Sequence, residues 1–271
     1  MRIGFIGIGN MGSALINGYV YGAAANGKNL RPEAVFMFDP DSSKTDEIMK
    51  KIPIRAAQSL AQLVGFTEII VVCVKPNIID TVLDELASIG VQGKIIVSIA
   101  AGVSIGHIAS KLGEGAKIVR AMPNTPAMIG LGMTALSPSD SISENEYPII
   151  EDIFTSAGKA VWLPEEHMDI VTGISGSSPA YTYMFLEGLI NAGIANGLSK
   201  EAATLLGAQA TMGAAVMVME SADDPETLRK NVCSPGGTTI EAVKVLEADG
   251  FIDTVEKAAI AAMEKSKLMT K

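Results

Sequence analysis

The chain is poor in the residues that bind metals, staple secreted domains or attract polyanions. Two cysteines, Cys73 and Cys233, stand far apart, and two histidines, His107 and His167, complete the set of soft ligands. These show no metal-ligand spacing and no disulfide framework, so a reduced, cytoplasmic compartment fits best. Basic residues are outnumbered, 21 Lys and Arg against 30 Asp and Glu, for a net charge of −9. That balance argues against a nucleic-acid or anionic-membrane surface. Aromatics make up 5% while hydrophobic residues make up 48%, so the core is built from Ala, Ile, Val, Leu and Met. No stretch reaches the roughly 18 uninterrupted apolar residues of a membrane span. "LLGAQATMGAAVMVME" comes nearest and is broken by Gln209. The apolar start, "MRIGFIGIGNMG", is interrupted by glycines and lacks a small-residue cleavage site, so it is not read as a signal peptide.

What is present divides into two halves, and 271 residues are enough for two domains of ordinary size. From residue 1 to about 163, short β-rich runs alternate with helical stretches. "RIGFIG", "AVFMFD", "EIIVVCV", "KIIVSIA", "KIVRAMP" and "MTALSP" are nearly continuous in apolar content, as strands buried on both faces are. "MGSALINGYVYGAA" and "IIDTVLDELASI" lie between them as helices, which predicts βαβ units and a parallel sheet. From about 164 onward no strand is visible. Helices are predicted over 178–196, 199–221, 224–231, 239–248 and 251–268, with breaks at Gly197, Asp224-Pro225 and a glycine-rich stretch. The fold class is α/β followed by all-α, with domains 1–163 and 164–271.

The helical half carries an anomaly. "AYTYMFLEGLINAGIANGL" and "AATLLGAQATMGAAVMVME" are apolar or small on most faces rather than along one stripe. A helix apolar all round must be buried, and the remaining residues cannot surround two of them. The pattern predicts an intertwined dimer, with a compact monomeric helical domain as the alternative. Methionines between 212 and 219 read as filler for that core, not as ligands.

"GFIGIGNMG" carries Gly7-x-Gly9-x-x-Gly12 between a strand and a helix. Gly7 permits the tight turn, Gly9 lets the backbone approach a pyrophosphate, and Gly12 lets helix and strand pack closely. The helix start adds free N–H groups and a positive dipole end. The next strand ends at Asp39, placed to bond ribose hydroxyls and favour NAD; the following Ser42, Ser43 and Lys44 offer a 2′-phosphate site instead. Lys75-Pro76 and Ser98–Gly102 leave two further strands at the same end, where open α/β sheets bind ligands. "RAMPNTPAMIG" adds a third exit, with Pro123 and Pro126 fixing a loop around Asn124 and Thr125. Late in the chain, "SPGGTT" opens a helix with almost bare backbone at Gly236 and Gly237. It is either an over-long turn or a set of amides exposed for a small anion.

GxGxMG, VKP, SIAAG, RAMPNTP, SGSSPAY (175–181) and SPGGTT (234–239), taken in order, resemble pyrroline-5-carboxylate reductase. The likeness covers essentially the whole chain, and its last two motifs are far more specific than the glycine fingerprint. It implies an N-terminal Rossmann-type parallel-sheet domain, a helical dimerisation domain, and reduction of 1-pyrroline-5-carboxylate to proline with NADPH, or NADH if Asp39 governs the ribose. The resemblance places Gly7, Ile8, Gly9, Asn10, Met11 and Gly12 along the dinucleotide phosphates. It places Val74, Lys75, Pro76, Ala100 and Ala101 at the nicotinamide half, and Asn231 at another cofactor contact. Gly237, Thr238 and Thr239 would receive the substrate, the Thr239 hydroxyl facing the ring nitrogen, and Glu165 would lie near the substrate amine. Two departures stand out: Ser178 replaces the commoner glycine, and Asp39 is unusual in a family that mostly prefers NADPH.

Two rival readings remain. One is an imine or hydroxyacid reductase of related architecture; a hydroxyacid enzyme calls for a lysine on the domain-joining helix, and residues 164–196 contain none. The other is a non-catalytic dinucleotide sensor. Cys73 reads as a buried strand residue, Cys233 as an unactivated thiol, His107 as a surface residue and His167 as part of the domain linker.

Overall fold

The apolar runs of the first half line up as one sheet in the computed structural model, which describes residues 1–22 and 32–271. The strands are β1 (Ile3–Ile6), β2 (Val35–Phe38), β3 (Arg55–Ala56), β4 (Ile69–Val72), β5 (Ile95–Ser98), β6 (Lys117–Met122), β7 (Gly132–Pro138) and β8 (Gly158–Trp162). Their order is β3-β2-β1-β4-β5-β6-β7-β8. Ile3 pairs with Val35 on one side and Ile69 on the other, both in parallel register. Each residue step turns a side chain to the opposite face. Val71 and Val97 accordingly join Phe5, Leu15 and Phe154 in one core layer, while Ile70 and Ile96 join Leu63, Leu83 and Ile108 in the other.

The helices of this half are α1 (Asn10–Asn17), α2 (Ser42–Met49), α3 (Leu60–Phe66), α4 (Ile79–Ile89), α5 (Ile105–Leu112), α6 (Tyr147–Thr155) and the single turn α7 (Met168–Val171). Their starts follow from short polar side chains: Asp41, Ser59 and Ser104 each accept the amide of a first-turn residue. After α1 the chain continues as a π-helical turn, Gly18–Gly22. The last residues of the predicted helix, Ala23 and Ala24, lie outside the described residues.

The sheet departs from the all-parallel expectation at β7, which runs antiparallel to β6 with Met122 opposite Ala135. Residues 123–131 between them hold one 3-10 turn, Thr125–Ile129, and a parallel return needs a crossover of a dozen residues or more. β8 then pairs parallel with β7 after α6. The sequence pattern did not reveal β3 or β8. β3 has two residues, and β8 is an edge strand without the fully buried pattern of β1, β4 and β5.

The second half folds as α8 (Ser178–Ala195), α9 (Lys200–Glu220), α10 (Pro225–Val232), α11 (Thr238–Ala248) and α12 (Phe251–Met269). The breaks fall where expected: Leu198 donates back to the Gly193 carbonyl around Gly197, Ser199 caps α9, and Asp224 caps α10 ahead of Pro225. By contacts the chain divides into a nucleotide unit, Met1–Ser177 with Ala261–Lys271, and a helical unit, Ser178–Ile260. In the helical unit α8 has no buried residue and α9 only Ala203. At 21 residues, with an 18-residue window of mean hydropathy 1.5, α9 is the one helix among the described residues long and apolar enough to cross a membrane by length and composition.

Candidate active site

β1 ends at Ile6 and α1 begins at Asn10, so Gly7-Ile8-Gly9 makes the whole connection. Gly7 sits at φ +90, which L side chains rarely adopt, and its amide donates to the Phe38 carbonyl at 2.9 Å. A Cβ on Gly12 would collide with the Gly7 carbonyl oxygen, so glycine lets α1 start this close to the strand. At Gly9 a Cβ would meet no atom within 4 Å. The bare backbone there faces open space, and α1 has no side-chain cap, which leaves its first amides free for an anion. A cleft of about 390 Å³ opens at this point, with Ile8, Gly9, Asn10, Ser13, Lys44 and Lys51 among its lining residues. Amides, a helix start and two lysines suit a polyphosphate.

Asp39 arrives at the same edge from β2, but its carboxylate is engaged within the protein. Oδ2 accepts from the Ile8 amide at 2.7 Å, Oδ1 accepts from the Asp41 amide at 3.0 Å, and Lys44 Nζ lies 3.3 Å from Oδ1. The side chain is 6% exposed. Asp39 therefore holds the glycine loop in shape. Asp41 accepts from the hydroxyl and amide of Ser43, bonds that keep its carboxyl below the usual range. Ser42 stays exposed.

Val74, Lys75 and Pro76 follow β4, and Ala100 and Ala101 follow β5, the next strands in the sheet. The Cys73 amide donates to Ile6 O at 2.7 Å and the Ile99 amide to Val72 O at 3.2 Å, which keeps the three exits in step. A Cβ on Gly7 would lie 3.0 Å from Val74 Cγ1. Lys75 is exposed and has no acidic partner among the described residues. The sheet thus gathers the residues read from the sequence between Gly7 and Ala101 along the carboxyl ends of its parallel strands.

Asn231, Gly237, Thr238 and Thr239 belong to the helical unit. Asn231 is exposed near the end of α10. α11 starts at Thr238, with Gly237 as its cap and no side-chain bond to that cap. Neither threonine is the capping residue: Thr238 and Thr239 are the first two residues of the helix. The Gly237 amide turns back to Ser234 O at 3.0 Å. The next amides lie at the positive end of the helix dipole, a geometry that suits a small anion.

Glu165 lies in the nucleotide unit, in the turn Glu165–His167 after β8. Its Oε1 accepts from the Ile105 amide at 2.7 Å, at the start of α5, and from Arg120 Nη1 at 3.2 Å.

Residues 165–269 match the family described as pyrroline-5-carboxylate reductase dimerisation, and residues 2–102 the family described as NADP oxidoreductase, coenzyme F420-dependent. The chain is 41% identical over 270 residues to the pyrroline-5-carboxylate reductase of Escherichia coli strain K12, covering 100% of this chain and 98% of that one. The chain belongs to the pyrroline-5-carboxylate reductase family. Among solved structures, the Plasmodium falciparum pyrroline carboxylate reductase with NADP bound matches with a TM-score of 0.88 at 36% identity, over 100% of this chain and 98% of that chain. The Coxiella burnetii pyrroline-5-carboxylate reductase matches with a TM-score of 0.91 at 34% identity, with the same coverage.

In this member of the family, sequence reasoning passed over Arg120. Its guanidinium, 6% exposed in the middle of β6, faces Glu165 and lies 3.8 Å from Asp169 Oδ1. A lone arginine inside the apolar run "KIVRAMP" was the available signal, since a buried charge needs partners. Asn124 fastens the turn after β6: its Nδ2 donates to Ser175 O at 3.0 Å and its Oδ1 accepts from the Met133 amide at 2.9 Å. Burial pushes the Cys73 thiol up, which removes it as a nucleophile.

Proposed function

We propose that the chain reduces 1-pyrroline-5-carboxylate to L-proline with NADPH, the last step of proline biosynthesis, as a cytoplasmic homodimer. The observation that carries this reading is the helix start at Gly237-Thr238-Thr239, where the cap is bare backbone and neither threonine serves as it. Such a start fits a small planar anion: the amides take the carboxylate and the Thr239 hydroxyl hydrogen-bonds the ring nitrogen. In this assignment residues 1–163 bind the dinucleotide, and residues 164–271 bind the substrate and dimerise.

Gly7, Ile8, Gly9, Asn10, Met11 and Gly12 hold the phosphates, with Val74, Lys75, Pro76, Ala100, Ala101 and Asn231 toward the nicotinamide half. Bound there, the dinucleotide would supply a hydride from its nicotinamide C4 to the C=N carbon; the π pair of that bond would move to the nitrogen, which takes its proton from solvent. The chain's task is placement. Holding two reactants in attack geometry is worth about 7–11 kcal/mol, so no strong acid is required beside Thr239. Glu165 has one oxygen committed to Ile105 and Arg120, leaving Oε2 for the ring nitrogen as it becomes an amine. Because the Asp39 carboxylate is held by the Ile8 and Asp41 amides and by Lys44, the exposed Ser42 is the group left free for a 2′-phosphate, with the half-exposed Lys44 beside it; this supports NADPH over NADH.

The test is oxidation of NADPH and NADH, each with 1-pyrroline-5-carboxylate. Turnover with a preference for NADPH is expected. A preference for NADH would return the ribose to Asp39, and no turnover with either would move the reading to another cyclic imine.

A further inference from the structure

Residues 269–271 lie against the loop that follows β5. The Lys271 amide donates to Gly102 O at 3.0 Å, and Lys271 O accepts from the Ser104 amide at 3.3 Å and the Ser104 hydroxyl at 2.6 Å. Gly102, at φ +69, permits the approach: a Cβ there would sit 3.0 Å from Met269 O. The same Ser104 hydroxyl caps α5 by accepting from the His107 amide at 3.0 Å.

The Lys271 side chain makes a second attachment. Its Nζ lies 2.8 Å from Asp80 Oδ2, while Asp80 Oδ1 lies 2.6 Å from His107 Nε2. Asp80 is in the first turn of α4, shortly after Val74-Lys75-Pro76. His107 is in the first turn of α5, shortly after Ala100-Ala101. One carboxylate therefore bridges the two helices that leave the two strand exits, and Lys271 closes the bridge from outside. The hydrogen bonds from Lys271 and His107 hold the Asp80 carboxyl down to about 2, so that carboxylate is ionised at neutral pH. The segment is anchored behind as well. Ser266 Oγ and Thr270 Oγ1 donate to Asp169 Oδ1 at 2.6 and 3.1 Å.

Exposed ion pairs contribute little to global stability, so a bridge made of them has its effect on what it spaces. Strand pairing between β4 and β5 ends with the Ile99–Val72 bond; beyond it the two loops have no ladder to hold them in register. We propose that Lys271, Asp80 and His107 form a positioning cluster that fixes the spacing of loops 74–76 and 100–103, and thereby the nicotinamide half of the dinucleotide site. This rests on the reading of those loops as the cofactor's seat. None of the three residues touches the reacting atoms, so their loss acts on dinucleotide affinity before it acts on chemistry.

The experiment measures NADPH Kd, the KM values for NADPH and 1-pyrroline-5-carboxylate, kcat, and the thermal midpoint. The proteins are wild type, Lys271→Ala, Lys271→Arg, Asp80→Asn and the double variant Asp80→Asn/Lys271→Ala. Each single loss is expected to weaken NADPH binding roughly fivefold, with the substrate KM and thermal midpoint nearly unchanged. The double variant is expected to be no worse than either single one, and Lys271→Arg to restore affinity. Unchanged NADPH Kd in both single variants, with wild type binding normally, would overturn the cluster. So would a loss that tracks a fall in the thermal midpoint, or one that arginine does not rescue. Wild type failing to bind NADPH would instead overturn the underlying reading of the loops.

Discussion

In the nucleotide unit, β1, β4 and β5 are buried at every position, with helices covering both faces of the sheet. In the helical unit, Met184 is 71% exposed, Leu205 69% and Leu206 60%. Both halves are rich in apolar side chains, yet one contains its own core and the other leaves much of its apolar surface uncovered. A sheet between two helix layers closes on itself. Two long helices without a polar face do not, because each needs apolar neighbours on every side. The nucleotide site is accordingly built on a self-supporting scaffold, whereas the helical unit is suited to assembly with a second copy.

The sharpest way to break that contrast is to charge the exposed helix. Leu206→Glu with Met217→Lys is expected to give a monomer by analytical ultracentrifugation, with turnover lost and NADPH binding kept; a dimer of normal activity would show that α9 is not the association surface. The converse substitution spoils the nucleotide unit alone. Gly9→Val adds a side chain where the folded protein has room, so its thermal midpoint and dimer should be unchanged while calorimetry finds no NADPH binding. Retained affinity would remove the glycine loop from the site. Thr239→Ala separates chemistry from scaffold. It should lower kcat by roughly ten- to a thousandfold, as loss of one positioned donor does, with NADPH Kd unchanged, and an unaltered kcat would reduce the hydroxyl to a packing group.

The smallest effect concerns the stability of the nucleotide unit. Burial pushes the Glu146 carboxyl up, but bonds from Lys117 and Ser143 outweigh it and bring it down to about 2. A lowered folded value contributes stability above the ordinary value of 4.5, and that contribution fades as pH falls toward about 2. Glu146→Gln should therefore melt a few degrees below wild type at pH 7, with the gap closing near pH 2. A gap that stays constant across that range would assign the effect to packing rather than charge.

Much of this was legible because it is local. Gly197, Ser199 and Asp224-Pro225 mark helix ends by their own backbone preferences, and the long apolar runs of β1, β4 and β5 state that both faces are covered. Gly7, Gly9 and Gly12 announce a tight turn with bare backbone between strand and helix. The two-residue β3 and the half-exposed β8 carry too little pattern to be seen. The direction of β7 depends on a loop too short to cross the sheet, which the apolar content of "MTALSP" does not express. That the Asp39 carboxylate takes the Ile8 amide, and that Glu165 takes the Ile105 amide and Arg120, no local pattern announces.

The sequence by itself determined where the chain turns, which segments are helix or central strand, and which backbone is left bare for a ligand, since periodicity, capping and glycine act over a few residues. Only the tertiary structure decided which partners the acids take and where Lys271 is bound. Those outcomes rest on hydrogen bonds between residues distant in the chain, Ile8 to Asp39, Ile105 to Glu165 and Lys271 to Asp80. Such partners are chosen by the geometry of the finished sheet, not by the residues beside them.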